Sequence, residues 1–475
     1  MDSFTLVIFG ITSNLAQIKL IPTLYDLVAS GQLPGMYKII GIGRTVMDQS
    51  QFGEFVDKAL HTPNRHHTHP IDPAVVSTLL SHISYLSADV TSPSCYSQLS
   101  SLLQTTPSNR LFYLATFPAL YSTIFSNLKN AKLITQSKSS WVRLLIEKPI
   151  GTDRDSAKQL NNLLTTHFSE NQLFRLDHYL GKETLQNILT FRFGNGFLEP
   201  LMSAQHIDHI QVTATEDFGI GGRGSYYDQN GAIKDVGQNH LLQMIALATM
   251  DAPASYSTAD IMAKRIEAIE SLIPLSESLV TGQYTGYIKE SNVSPLSTKE
   301  TYFAFKTHLT KTKFAGVPIY VRGGKMLTRT ATEISIIFKN NSSRILGHLD
   351  SGMEPNVLIF RIQPNEGIVL KMLTKVPGHQ LKLQESYLQY CYPQTTNLPD
   401  AYERLIVDAI KGDQTFFNDA AEVDAQWSYT DALIDSINYS PIIYEKGSRG
   451  PAAADQLLAK DGRAWLEPST AFCPK

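Results

Sequence analysis

Residues 1–147 alternate short apolar runs with helix-like stretches, and no other feature constrains the fold as strongly. Runs at 4–9, 38–43, 83–86, 110–115 and 142–147 have strand length and apolar character, while 15–29 and 117–128 between them space their apolar residues as a helix does. A strand that returns to the same sheet after a helix pairs in parallel, so this rhythm predicts an α/β, doubly wound, Rossmann-like domain. From about Asp177 the rhythm changes. Helical stretches at 181–192 and 233–250 mix with β-rich runs at 207–213, 333–338, 357–362 and 367–374, and turn residues such as Asn340-Asn341 and Pro364-Asn365-Glu366 fall at hairpin spacing. That pattern predicts a larger α+β domain with a mostly antiparallel sheet. The boundary falls between Gly151 and Asp177, giving expected domains 1–176 and 177–475. The second is expected to hold the substrate and to form a homo-oligomer, a dimer or tetramer.

Charge narrows the classes of partner. Against 44 acidic residues stand 41 basic ones, a formal net charge of −3, with no basic stripe, so no nucleic-acid partner is expected. Any anion site has to be built locally. Cys95, Cys391 and Cys473 are too few and too scattered for a disulfide framework or a zinc cluster, which reads as reduced thiols. Run 4–9 is too short for a signal-peptide core, and no apolar stretch is long enough to span a bilayer. A cytoplasmic protein without a membrane partner is the expectation.

Gly10-Ile11-Thr12-Ser13-Asn14-Leu15 follows the first strand and opens the first helix. A tight turn there aims backbone N–H groups and the helix N-terminus at a diphosphate. Taken alone, the segment serves equally as a plain strand-to-helix turn capped by Ser13 or Asn14. The next strand breaks the tie, because it ends in Arg44 with no acid beside it. In dinucleotide folds an acid at this place takes the ribose hydroxyl of NAD, whereas an arginine takes the 2′-phosphate of NADP. NADP is the expected cofactor.

The densest chemistry is Asp177-His178-Tyr179-Leu180-Gly181-Lys182. A helix beginning near His178 would set His178 and Lys182 four apart on one face, a phosphate clamp with the Tyr179 hydroxyl beside it. The plainer alternative is a solvated helix start. A second cluster, Gly231 to His240, runs into the apolar stretch Leu241-Leu242-Gln243-Met244-Ile245, where a histidine is more often a satisfied core residue than a catalyst. His61, His66, His67 and His69 sit in a polar, proline-containing run without a carboxylate or cysteine, and no metal site is expected there.

Segments 146–151, 175–183, 222–228, 235–240, 322–325, 398–405 and 447–451 resemble, in order and spacing, the signature segments of glucose-6-phosphate dehydrogenases. The resemblance spans nearly the whole chain. It implies an oxidoreductase that oxidises C1 of glucose 6-phosphate to the 6-phosphogluconolactone with hydride transfer to NADP⁺. His240 would take the proton of the anomeric hydroxyl, since an imidazole titrates near neutrality. Asp177 would orient that imidazole and stabilise its charged form. His178, Tyr179 and Lys182 would bind the phosphate, and Glu216, Asp235, Lys325 and Gln363 the sugar. Lys148, before a proline that the resemblance makes cis, would touch both substrate and nicotinamide. Tyr113 would lie on the cofactor side.

Three departures from that pattern matter. Ser13 and Asn14 stand where a second glycine and an aspartate are usual. Thr330 stands where the family carries Lys or Arg, five residues after Lys325, which makes unphosphorylated glucose the alternative substrate. Some family members also bind a second, structural NADP, and Arg361, Lys371, Arg449 and Trp465 resemble parts of its site. Val369, Gln389 and Ala331 occupy positions where polar or charged partners belong, so the second site is expected to be lost. A non-catalytic sugar-phosphate or NADP sensor is the reading from another class. It leaves the presence of both Asp177 and His240 without a purpose.

Overall fold

The computed structural model describes residues 1–62, 68–340, 354–392, 398–435 and 440–468. His66 and His67 lie outside them. Two compact units form: Met1–Gly151 with Asp155–Glu183 and Asn397–Val423, and Thr152–Arg154 with Thr184–Thr396 and Asp424–Lys475.

The first unit is built on six strands, β1 (Phe4–Phe9), β2 (Tyr37–Gly43), β3 (Ile83–Ser87), β4 (Arg110–Leu114), β5 (Val142–Ile146) and β6 (Leu173–Arg175). All pairings are parallel and the order is β3-β2-β1-β4-β5-β6, the doubly wound arrangement with its switch between β1 and β4. β1 and the strands flanking it are almost wholly buried, which is why they read as continuous apolar runs rather than alternating ones. The three-residue β6 carries no such signal. Its Arg175 is fully buried, with its guanidinium on Glu170 at 2.5 Å and on Asn161 at 3.0 Å. Helix Ala401–Lys411 joins this unit, opened by a capping box of Asp400 and Glu403 and closed by Gly412 with φ 84°. At its end the Arg143 guanidinium lies on the Trp141 ring at 4.0 Å and donates to the carbonyls of Ala409 and Ile410, which the helix leaves unpaired.

The second unit holds nine strands: β7 (Ile207–Thr215), β8 (Val280–Tyr284), β9 (Tyr302–Thr307), β10 (Ile319–Gly324), β11 (Ala331–Phe338), β12 (Val357–Gln363), β13 (Gly367–Lys375), β14 (Leu383–Cys391) and β15 (Ile442–Tyr444). Their order is β14-β13-β12-β11-β7-β10-β9-β8-β15. β7 with β10 and β8 with β15 are parallel and the other pairings antiparallel, a mixed and mostly antiparallel sheet.

Two helices differ locally from expectation. The stretch expected as helix 15–29 winds as a π-helix at Ala16–Leu20 before the α-helix Ile21–Ala29. The stretch expected at 233–250 is π-helical over Ile233–Leu241 and α-helical over Leu242–Thr249. Cys95 is a buried free thiol, whereas Cys391 is disulfide-bonded, against the expectation of reduced thiols; Cys473 lies outside the described residues. Among the described residues no helix is long and apolar enough to cross a membrane.

Candidate active site

In the first unit the sequence-predicted residues gather at the C-terminal ends of the parallel strands, where open α/β sheets bind their ligands. Gly10 follows β1 with φ 88°, and a Cβ there would lie 2.5 Å from the Ala115 carbonyl oxygen, so only glycine permits the turn. Gly43, closing β2, is constrained by close approach of side chains: a Cβ would meet the Tyr85 hydroxyl at 2.8 Å and Thr12 Oγ1 at 2.9 Å. Gly41 and Gly43 leave the room that Ile11 and Thr12 fill over β2. Ser13 Oγ accepts the Ala16 N–H at 3.2 Å, so the side chain that replaces the usual glycine occupies one of the donors at the helix entrance. Arg44 is exposed just past β2. It stands within electrostatic reach of Asp89, whose carboxyl is held below its usual range chiefly by hydrogen bonds from Thr91 and in smaller part by Arg44.

Tyr113, on β4, is fully buried and its hydroxyl donates to Glu147 Oε1 at 2.5 Å. Glu147 directly follows β5 and also takes a hydrogen bond from Tyr402; burial pushes its carboxyl up, against the pull of these donors and of Lys148. The Lys148–Pro149 peptide bond is cis, as expected. Beyond β6, the Asp177 carboxylate is buried and accepts the Tyr179 N–H at 2.9 Å.

Residues His178 to Lys182 do not open a helix. They form successive turns, Leu180 N–H to the Asp177 carbonyl at 3.0 Å and Lys182 N–H to the Tyr179 carbonyl at 2.9 Å, and the helix starts at Glu183. The turns still keep these side chains close to one another, and one of them meets a distant ring. Lys182 Nζ lies 5.5 Å from the Tyr179 ring, and His178 stacks on Tyr402 at 6.2 Å. Gly181 is required by close approach, since a Cβ would sit 2.6 Å from the Ala401 carbonyl oxygen. Tyr402 and Glu147 are the members that sequence reasoning missed as site residues. Their segments had been singled out by resemblance, but no local pattern pairs residues so far apart in the chain.

In the second unit, Glu216 and Lys325 stand just beyond the ends of the parallel neighbours β7 and β10 and form an ion pair. Lys325 is 5% exposed, and its ammonium also lies 5.2 Å from both the Tyr227 and Phe218 rings. Tyr227 in turn donates to Asp235 Oδ2 at 2.8 Å, and Arg223 holds Asp235 Oδ1 at 2.8 Å. Gln363 ends β12, which runs in the same direction as β7 because each is antiparallel to β11.

Asp235 and His240 are both buried on the π-helix, which packs against β7 and β10. Hydrogen bonding of π type, i to i+5, places residues about five apart on neighbouring positions of one face, which ideal α-helical spacing does not. The N-terminus of this helix is held by Glu300, a wholly buried carboxylate that accepts the Ile233 N–H at 3.0 Å. Gly231, with φ 70°, leaves the space that Glu300 fills. His240 is thus neither a surface ligand nor part of the following apolar helix. It sits where regular helix geometry is interrupted, which is common at functional sites.

A doubly wound sheet with a glycine turn at its switch, joined in one chain to a unit that concentrates buried ionic and imidazole groups, defines a dinucleotide-dependent oxidoreductase. The family description "Glucose-6-phosphate dehydrogenase, NAD binding domain" matches residues 7–187, and "Glucose-6-phosphate dehydrogenase, C-terminal domain" matches residues 189–466. A glucose-6-phosphate 1-dehydrogenase of Mycolicibacterium smegmatis is 38% identical over 492 residues, covering 98% of each chain. That of Chlamydia muridarum is 37% identical over 488 residues, covering 97% of this chain and 96% of its own. A solved structure described as glucose-6-phosphate dehydrogenase in complex with its substrate glucose-6-phosphate superposes with a TM-score of 0.89 at 33% identity, covering 98% of each chain. The chain belongs to the glucose-6-phosphate dehydrogenase family.

Proposed function

We propose that this enzyme oxidises C1 of glucose 6-phosphate to the 6-phosphogluconolactone and delivers the hydride to NADP⁺. The observation that carries the reading is the placement of His240: buried, on an interrupted helix, five residues after an Asp235 whose carboxylate is oriented by Arg223 and Tyr227. In this reading His240 accepts the anomeric hydroxyl proton and Asp177 fixes the imidazole tautomer. Asp235, Glu216, Lys325 and Gln363 hold the sugar hydroxyls. His178, Tyr179 and Lys182 hold the phosphate, and Lys148 orients substrate against cofactor.

NADP would lie on the Gly10–Leu15 turn, with Arg44 for its 2′-phosphate and with Tyr113 and Lys148 toward the nicotinamide end. The glycine-only turn at Gly10 fits this group, because it brings backbone to the switch point of the sheet. Bound there, the nicotinamide supplies the hydride acceptor; the chain's own residues orient the sugar and move its proton. Free glucose is the weaker candidate, since the relatives and the substrate-bound neighbour are named for the phosphorylated sugar.

A cytoplasmic enzyme acting as a homo-oligomer completes the reading. Edge strand β14 supports the oligomer, because its Tyr387, Leu388 and Tyr390 are 42%, 60% and 51% exposed, an apolar edge that a monomer would leave in water. Steady-state NADPH production by His240→Asn, Asp177→Asn and the double variant tests the mechanism. Each single change is expected to lower kcat by about 10²–10⁴. The double is expected to be little worse than His240→Asn alone, as for groups that act as a unit. Additive losses would separate Asp177 from the proton transfer.

A further inference from the structure

Segment 463–468 is laid across the second unit by contacts spread over its whole length. Arg463 grips the Asp208 carboxylate at 2.8 and 3.0 Å. The Gln211 amide brackets the next residues, donating to the Ala464 carbonyl at 2.9 Å and accepting the Leu466 N–H at 2.8 Å. Trp465 gives its indole N–H to the Ala454 carbonyl at 3.0 Å and its ring face to the Arg322 guanidinium at 4.5 Å. Glu467 Oε1 stands 2.6 Å from Arg449 and 4.0 Å from Arg322, and Arg329 donates to the Pro468 carbonyl.

The residues that resemble a second NADP site are therefore engaged within the chain. Arg449 is paired with Glu467, Trp465 is covered by Arg322, and Lys371 is on Glu385 at 2.9 Å. Arg361 faces Glu333, which is buried among Arg361, Arg322 and Arg329. The pocket left beside Arg322, Arg329, Arg449 and Glu467 is small, about 20 Å³, and the Glu467 carboxylate already stands there as the anion. A second dinucleotide does not fit these residues as they stand.

Val369 shows what replaces it. It is fully buried in a cluster with Ile337, Val357 and Ile359, and Leu466 packs onto that cluster. The apolar residue that departs from the family pattern is thus part of the seat of the strap. We propose that segment 463–468 is a built-in substitute for the structural dinucleotide. The Glu467 carboxylate supplies the anion for Arg322 and Arg449, Leu466 supplies the apolar anchor, and the sheet is braced without a second cofactor.

Equilibrium dialysis of the intact enzyme against NADP⁺ is expected to saturate at one molecule per chain; saturation at two overturns the proposal. Glu467→Gln keeps the shape and removes the charge. It is expected to leave kcat unchanged and to lower Tm by about 2–4 °C, the scale for losing roughly 1 kcal/mol in a unit of this size. Millimolar inorganic phosphate, compared with chloride at equal ionic strength, is expected to restore at least half of that loss, because it supplies the negative charge that the neutral amide no longer gives Arg449 and Arg322, and to move the wild type hardly at all. Leu466→Ala is expected to lower Tm with no such phosphate response, since its anion is still in place. Equal phosphate effects in all three proteins, or no Tm loss in Glu467→Gln, would show that Glu467 does not act as the resident anion.

Discussion

Thr330→Lys restores the cation that this chain lacks, and the structure allows its effect to be worked out. The Thr330 hydroxyl donates to Asp217 Oδ1 at 2.6 Å and accepts the Asp217 N–H at 3.1 Å. Arg329 does not stand in for the missing cation, because its guanidinium is turned to the Pro468 carbonyl. Replacement removes two local hydrogen bonds at a half-buried position, each worth about 0.5–1.5 kcal/mol, so a small loss of Tm is expected. An added charge-assisted contact to a phosphate is worth about 1.5–3 kcal/mol, or roughly tenfold to 150-fold in affinity. Against this, the new ammonium can pair with exposed Asp217, but such surface pairs are worth about 1 kcal/mol at most. The phosphate contact wins. The ratio of kcat/KM for glucose 6-phosphate over glucose is expected to rise about tenfold, through a lower KM for the phosphorylated sugar. Steady-state kinetics with both sugars and NADP⁺ measure it, and Lys182→Ala is expected to move the ratio the other way. An unchanged ratio in a folded Thr330→Lys enzyme would mean that position 330 does not serve the phosphate, and the case for weakened phosphate recognition would fall with it.

Arg44→Ala should raise KM for NADP⁺ by about tenfold or more while leaving KM for NAD⁺ nearly unchanged, the mark of a lost 2′-phosphate contact; equal losses would assign Arg44 to the diphosphate or the fold. Ser13→Gly frees the Ala16 N–H now held at 3.2 Å and is expected to tighten NADP⁺ about two- to tenfold by fluorescence titration, at a cost to stability of only a few tenths of a kcal/mol; unaltered binding would show that Ser13 does not impede the cofactor. Burial pushes the Glu333 carboxyl up to about 7, outweighing Arg361, Arg322 and Arg329. A carboxyl raised on folding holds its proton longer in the native state, so its contribution to stability declines as pH rises from about 4.5 to 7 and is flat above. Glu333→Gln is expected to remove up to roughly 3 kcal/mol of that decline. Thermal melts across pH 5–8 with wild-type and variant slopes indistinguishable would contradict it.

How much of this was legible beforehand follows from the range of the interactions involved. The parallel sheet was, because β1, β2 and β4 are almost wholly buried and each of β1 to β5 announces itself as a local apolar run; β6 was not, because three residues cannot. Gly10 and Arg44 were legible as well, since a turn and a strand end are local matters. The identity of the chemical groups was written in the sequence: His240, Asp177, Lys182 and Lys325 carry their chemistry wherever they are placed. Their arrangement was not. Spacing suggested a helical clamp from His178 to Lys182, but Gly181 packs beneath the Ala401 carbonyl and the segment turns instead, with Tyr402 stacked on His178. Asp235 and His240 share a π-helix whose first N–H is taken by Glu300, far along the chain, and propensity rules contain no term for a carboxylate that distant. The same holds for Val369, which by sequence was only a missing polar group. Sequence determines what is local, namely strand, turn and reactive group, because neighbours in the chain set those. Which groups face one another was decided only by tertiary packing, where burial makes an unpaired charge too costly and each carboxylate, guanidinium or ring settles against the partner that the fold brings to it.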